Sequence, residues 1–106
     1  MLRALLARLC LLIGKSLGRA RRYDSALACF KRAIDLCPDS LTAHCWIGWG
    51  YTRLENHTEA LVWFDRAHQI GPTCAYAHAQ MGRSSALLGH HRRAVDELLR
   101  ASRIDP

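Results

Sequence analysis

Proline is scarce in this sequence, three in 106 residues, and glycine is held to seven. Collagen-like and linker-like chains need both in abundance, so neither applies. The five cysteines, Cys10, Cys29, Cys37, Cys45 and Cys74, form no Cys-x-x-Cys pair. An odd number without that spacing gives neither a closed disulfide framework nor a zinc knuckle, and a reducing, cytoplasmic setting is expected. No apolar run reaches the ~20 residues that a bilayer requires, because Arg3, Arg8, Lys15 and Arg19 interrupt the most hydrophobic stretch. Glycine-rich phosphate loops and paired carboxylates on one helix face are also missing. The best thiol arrangement sets His44 beside Cys45, but adjacent helical residues point ~100° apart and do not meet. The sequence therefore predicts a protein that is not an enzyme and holds no cofactor or metal.

Half of the residues are hydrophobic, and 15 Lys and Arg against 9 Asp and Glu leave a net charge of +6. That length and composition suit one small folded domain. The bases are uneven. Arg3, Arg8, Lys15, Arg19, Arg21 and Arg22 precede the first acid, Asp24. A targeting presequence or a basic membrane-surface helix would look like this. An internal repeat accounts for the same residues, so a membrane is not expected as a partner, and organelle targeting or membrane-surface association stays open.

The repeat appears when the sequence is set against itself at an offset of 34. Gly14, Gly48 and Gly82 then share a column, as do Pro38, Pro72 and Pro106. Ala26, Ala60 and Ala94 form another, and so do Ala33, Ala67 and Ala101; Ile13, Ile47 and Met81; and Phe30, Phe64 and Leu98. Equivalent units at a fixed period stack in a row. The expected division is a helical extension over 1–6 and repeats over 7–40, 41–74 and 75–106, all in one domain. Within the middle unit, Ile47, Tyr51 and Leu54 give helical spacing over 41–54, and Ala60, Leu61, Phe64, Ala67 and Ile70 give it over 57–70. Glu55 and Asn56 fall between, and Pro72 cannot continue the second helix. Gly48, Ala60 and Ala67 lack the bulk to hold two helix axes apart where they cross.

These columns resemble the signature of the tetratricopeptide repeat, carried here by Gly48, Tyr51, Ala60, Phe64, Ala67 and Pro72. The resemblance covers residues 7–106. It departs from the pattern at Cys10, His44 and His78, where an early Trp is usual, and at Leu17 and Ser85, where a Tyr usually precedes the turn. What it implies is an all-α fold, a right-handed α-α superhelix (solenoid) of three helix-turn-helix repeats, serving as a protein-protein interaction scaffold. The non-packing side of each first helix would then line a concave groove for extended peptides.

On that side the first repeat presents Arg8, Leu11, Leu12, Lys15, Gly18 and Arg19, the second Thr42, Cys45, Trp46, Trp49, Thr52 and Arg53, and the third Tyr76, Ala79, Gln80, Arg83, Ala86 and Leu87. Five of these are basic and none is acidic. All nine carboxylates lie in second helices or turns. A concave wall of one sign focuses its field on an oppositely charged ligand. The expected ligand is an extended, acidic, partly apolar protein segment. Trp46, Trp49 and Tyr76 would serve as anchors, with Lys15, Arg19, Arg53 and Arg83 as charge partners. The alternatives for the tryptophans are packing between first helices, or stacking on a single-stranded nucleic acid, a partner disfavoured by the net negative second repeat. The carboxylate clamp that holds chaperone tails in some tetratricopeptide domains corresponds to Leu11, Lys15, Trp46, Tyr76 and Gln80. Only Lys15 is of the right type, and no chaperone-tail binding is expected.

The six histidines recur with the repeat, His44 with His78 and His57 with His91, which favours packing or helix-end roles over metal ligation. At the far end Val95, Leu98, Leu99 and Ile104 leave the last helix without a polar outer face. The chain is part of a longer array, or this flank supports self-association, or it is a modest exposed patch, the first two being favoured. Leu2, Leu5, Leu6 and Leu9 extend the first helix upstream, to cap the array or to lie on an acidic membrane surface, with capping as the favoured role.

Overall fold

The structure is a computed structural model that describes residues 1–72 and 75–104. Expectations placed on Cys74, Asp105 and Pro106 lie outside the described residues. Six helices follow one another: α1 Leu2–Arg19, α2 Tyr23–Leu36, α3 Leu41–Arg53, α4 His57–Ile70, α5 Ala75–Leu87 and α6 His91–Ile104. No strand occurs among the described residues. Helices pack in sequence order as three antiparallel pairs, α1 with α2, α3 with α4 and α5 with α6; each pair leans on the next, and α3 also reaches α5. Stacking in one direction elongates the molecule to 42 × 26 × 21 Å.

The repeat is a repeat of backbone as well as of sequence. Arg21, Glu55 and Gly89, spaced 34 apart, all take a left-handed conformation with φ of 62°, 61° and 85°. Each closes its first helix in the same way. Arg21 N–H donates to Gly18 O and Arg22 N–H to Leu17 O; Glu55 and Asn56 donate to Thr52 and Tyr51, and Gly89 and His90 to Ala86 and Ser85. This paired closure uses carbonyls left over at a helix C-terminus and turns the chain back within two residues. At two helix starts a side chain accepts a spare amide: Ser40 Oγ from Ala43 N at 3.2 Å, and Asn56 Oδ1 from Glu59 N at 3.3 Å.

The small-residue columns mark the crossings. A Cβ on Gly14 would lie 2.5 Å from the Phe30 ring, on Gly48 2.8 Å from Phe64, and on Gly82 2.9 Å from Leu98. Ala26, Ala33, Ala60 and Ala67 are fully buried with Phe30 and Phe64. The column of Ile13, Ile47 and Met81 divides. Ile47 and Met81 are 0% and 1% exposed, whereas Ile13 is 46% exposed. The cause is position in the stack: Ile47 packs on Ala26, Leu27 and Phe30 of the preceding α2, and no helix of the structure precedes α1.

Histidines replace the usual early Trp without leaving holes. His44 is buried, its Nδ1 2.8 Å from Ser40 O and its ring 5.6 Å from that of Trp63. His78 is buried too, its Nδ1 2.6 Å from Glu97 Oε2, a side-chain contact that ties α5 to α6 in the core. Residues 2–6 simply begin α1. Their leucines, Leu2, Leu5 and Leu6, stay exposed. At the other end Val95, Leu98, Leu99 and Ile104 of α6 are exposed as well.

Candidate functional site

The first helices of the pairs carry no acid. Along them the structure opens two adjoining hollows. One, of about 410 Å³, is lined by Cys45, Trp46, Trp49, Arg53 and Tyr76. The next, of about 450 Å³, is lined by Thr52, Arg53, Glu55, His57, Tyr76, Gln80, Arg83 and Leu87. Arg53 and Tyr76 belong to both, so the two form one trough between α3 and α5.

The aromatic floor is built by packing. Trp46 stacks on Phe30 with centroids 5.8 Å apart, and meets Trp49 edge-on at 5.4 Å. Trp49 in turn meets Tyr23 edge-on at 5.8 Å. Its six-membered ring occupies the notch left by Gly18, where a Cβ would be 2.7 Å from Cη2. Both indoles are therefore half-buried: one side of each is fixed by α1 and α2, and another borders the hollow. Tyr76 lines it from α5, more exposed than either.

Cations sit over this floor. Lys15 Nζ lies 5.0 Å from the Trp46 ring centroid and the Arg53 guanidinium 5.6 Å from that of Trp49. Such contacts are worth about 0.5–1 kcal/mol when exposed, and they hold a cation at an aromatic surface without neutralising it. Arg83 is exposed on the second hollow, while Arg19, exposed at the end of α1, lines neither. Among the described residues the arginine–carboxylate ion pairs are Arg93–Asp65 and Arg100–Glu97. Neither engages Lys15, Arg19, Arg53 or Arg83.

Two features of the trough were not foreseen. Glu55 lines the second hollow beside Arg53 and Arg83, so the wall is not free of acid. The turn brings it there: with its left-handed backbone Glu55 folds against the end of α3 instead of following α4 outward. Asp39, at the opposite corner, likewise shares a hollow with Arg8. The other feature is polar. Gln80 Oε1 and His57 Nδ1 are buried with no hydrogen-bond partner among the described residues, and both residues line the second hollow. Gln80 was legible as a groove position; His57, at the start of a second helix, carried no sequence signal for the site. Elsewhere, no group of three His, Cys, Asp or Glu able to hold a metal ion occurs among the described residues.

Comparison with known proteins agrees with this architecture. No curated protein matches the chain. Among solved structures, it resembles YrrB, a tetratricopeptide repeat protein described as having an unusual peptide-binding site, with a TM-score of 0.85 and 23% identity over 91% of this chain and 50% of that one. The first tetratricopeptide domain of Spaghetti (RPAP3), bound to the HSP90 peptide SRMEEVD, gives a TM-score of 0.92 and 18% identity over 97% of this chain and 82% of that one. MamA gives 0.87 and 20% over 93% and 58%. The chain thus spans about half the length of the YrrB and MamA chains, and at these identities the likeness is one of fold. A sequence model described as tetratricopeptide repeat matches residues 11–73, more than half of the chain. Six helices in three stacked pairs, with their small residues at the crossings and a matching family model, make this chain a member of the tetratricopeptide repeat family.

Proposed function

We propose that this protein is a non-catalytic interaction scaffold whose α3–α5 trough binds an extended, acidic and partly apolar segment of another protein. The observation that carries the reading is the joined pair of hollows. Trp46, Trp49 and Tyr76 offer apolar and aromatic surface in the first, and Arg53 and Arg83 offer cations in the second. Gln80 Oε1 and His57 Nδ1 add unsatisfied polar atoms, which the amides of an extended chain can meet. Lys15 extends the basic rim towards α1. Arg19 contributes long-range attraction only.

Binding would follow salt, since exposed cations steer an acidic ligand through a screened field. The test is titration of tryptophan fluorescence with an acidic, aromatic-containing peptide and with a single-stranded oligonucleotide, each at low and high salt. The expected result is peptide binding that Arg53→Glu with Arg83→Glu weakens by about tenfold or more. Saturable binding of the oligonucleotide alone would replace this reading with the nucleic-acid one. Equal peptide affinity in wild type and double variant would remove the basic wall from the account.

The Spaghetti domains bind the tail SRMEEVD. Here Leu11, Trp46, Tyr76 and Gln80 occupy clamp positions, and Lys15 lies over an indole. The proposal is that this chain does not clamp such a tail. A complex with SRMEEVD abolished by Lys15→Ala would show otherwise.

A further inference from the structure

Nothing among the described residues covers one face of α1. Leu2, Leu5, Leu6, Leu9, Leu12 and Ile13 are 41–70% exposed. At about 100° per residue they share an arc of about 120°, unbroken by a polar side chain from Leu2 to Ile13. The buried residues of the helix, Ala7, Gly14 and Gly18, lie on its other side. A single exposed leucine needs no explanation, but five leucines and an isoleucine together on one helix face mark a contact surface.

Comparison with the internal repeats separates this face from a stacking surface. The positions of Leu9, Leu12 and Ile13 are filled in α3 by Ala43, Trp46 and Ile47, which pack on the preceding α2. The positions of Leu5 and Leu6, however, correspond to Asp39 and Ser40. A neighbouring repeat contacts the first three positions, and the added leucines upstream widen the apolar surface past that need.

Charge selects the occupant. Arg3, Arg8, Arg19, Arg21 and Arg22 accompany this face, and no acid precedes Asp24. Arg8, which shares a hollow with Asp39, and Arg19 are exposed along one edge of the arc and Arg3 beyond the other. On the α2 flank, Arg32 and Asp35, which border a hollow with Leu6 and Cys10, offset each other. A second copy could offer its own α1, as basic as this one, or the apolar face of α6, and that helix carries four arginines, Arg92, Arg93, Arg100 and Arg103, against Asp96 and Glu97. Two net positive helices repel. An anionic bilayer combines an apolar interior with a negative surface, which matches both properties of α1.

We propose that α1 docks this protein onto an anionic lipid surface, lying in the plane of the interface with its leucine face among the upper acyl chains and its arginines at the headgroups. Crossing is not involved: no helix of the described chain is long and apolar enough to span a membrane. The leucines supply apolar burial and the arginines attraction to the anionic surface, and firm attachment needs both.

The experiment is co-sedimentation of the full chain with vesicles of phosphatidylcholine alone and of phosphatidylcholine with an equal part of phosphatidylserine, at low and high salt. Binding is expected to the mixed vesicles, to fall with salt, and to be weak on neutral ones. Leu5→Gln with Leu9→Gln should lower partition at least about tenfold, with helix content unchanged by circular dichroism because both sites are exposed. Val95→Gln with Leu99→Gln on α6 should leave partition as in wild type. Absence of binding to the mixed vesicles, or binding indifferent to the α1 substitutions, would overturn the proposal. A concentration-dependent dimer in sedimentation equilibrium, dispersed by Leu5→Gln with Leu9→Gln and unaffected by vesicles, would overturn it in favour of a second copy.

Discussion

Residues 21, 55 and 89 make the same turn with different chemistry. Glycine enters the left-handed region without penalty, whereas other residues lose about 1–2 kcal/mol there, partly offset by glycine's greater entropy when unfolded. Arg21→Gly should therefore raise unfolding stability by about 0.5–1 kcal/mol, and Gly89→Ala should lower it by a similar amount, as read from urea denaturation. Ser84 and Ser85 are a second local irregularity, since both hydroxyls are buried and unpartnered among the described residues. Leaving a buried hydroxyl unpaired costs about 1–3 kcal/mol, so Ser85→Ala should stabilise the fold by about 1 kcal/mol. Neither feature can be read from composition. Ser85 was legible only as a departure from a usual Tyr; its burial follows from α5 packing between α4 and α6.

At the scale of elements, each pair is held by a glycine against a ring or a leucine. Gly48→Val would drive its side chain into Phe64, 2.8 Å from the first added carbon, and should destabilise by about 1–3 kcal/mol. Combining it with Phe64→Leu, the residue type that faces Gly82 in the third pair, should recover part of the loss, a coupling that a double-mutant cycle on thermal unfolding would measure. The α5–α6 pair adds the buried His78–Glu97 contact. Glu97→Ala takes a hydrogen-bonding partner from buried His78 and should cost about 1–3 kcal/mol, while exchanging both for apolar residues should cost much less. The 34-residue columns disclosed that His78 faces inward. They did not disclose Glu97, because its partner stands 19 residues away on another helix and only the pairing of α5 with α6 brings them together.

For the whole molecule, stability in a stack sums over neighbours. Only α2 to α5 have helices on both sides, whereas α1 and α6 keep apolar residues in water. Amide exchange should accordingly be slowest in α3 and α4 and fastest at the outer helices; uniform protection would contradict nearest-neighbour stacking. The charge of the molecule is layered, with first helices free of acid, but the layering is closed off at the corners by Glu55 and Asp39, which share hollows with Arg53 and Arg8.

The sequence alone determined the period, the helices, their crossings and the acid-free layer, because helix formation and side-chain size act through neighbours three, four and thirty-four residues apart. Tertiary structure decided what the period could not express. Ile13 matches Ile47 in sequence and yet meets water, since burial depends on which helix stands next in the stack. Trp46 and Trp49 became both packing and surface, because the notch at Gly18 and the ring of Phe30 hold one side of each indole and leave another at the trough. Identical positions in a repeat share a conformation, but their surroundings are set by their place in the array.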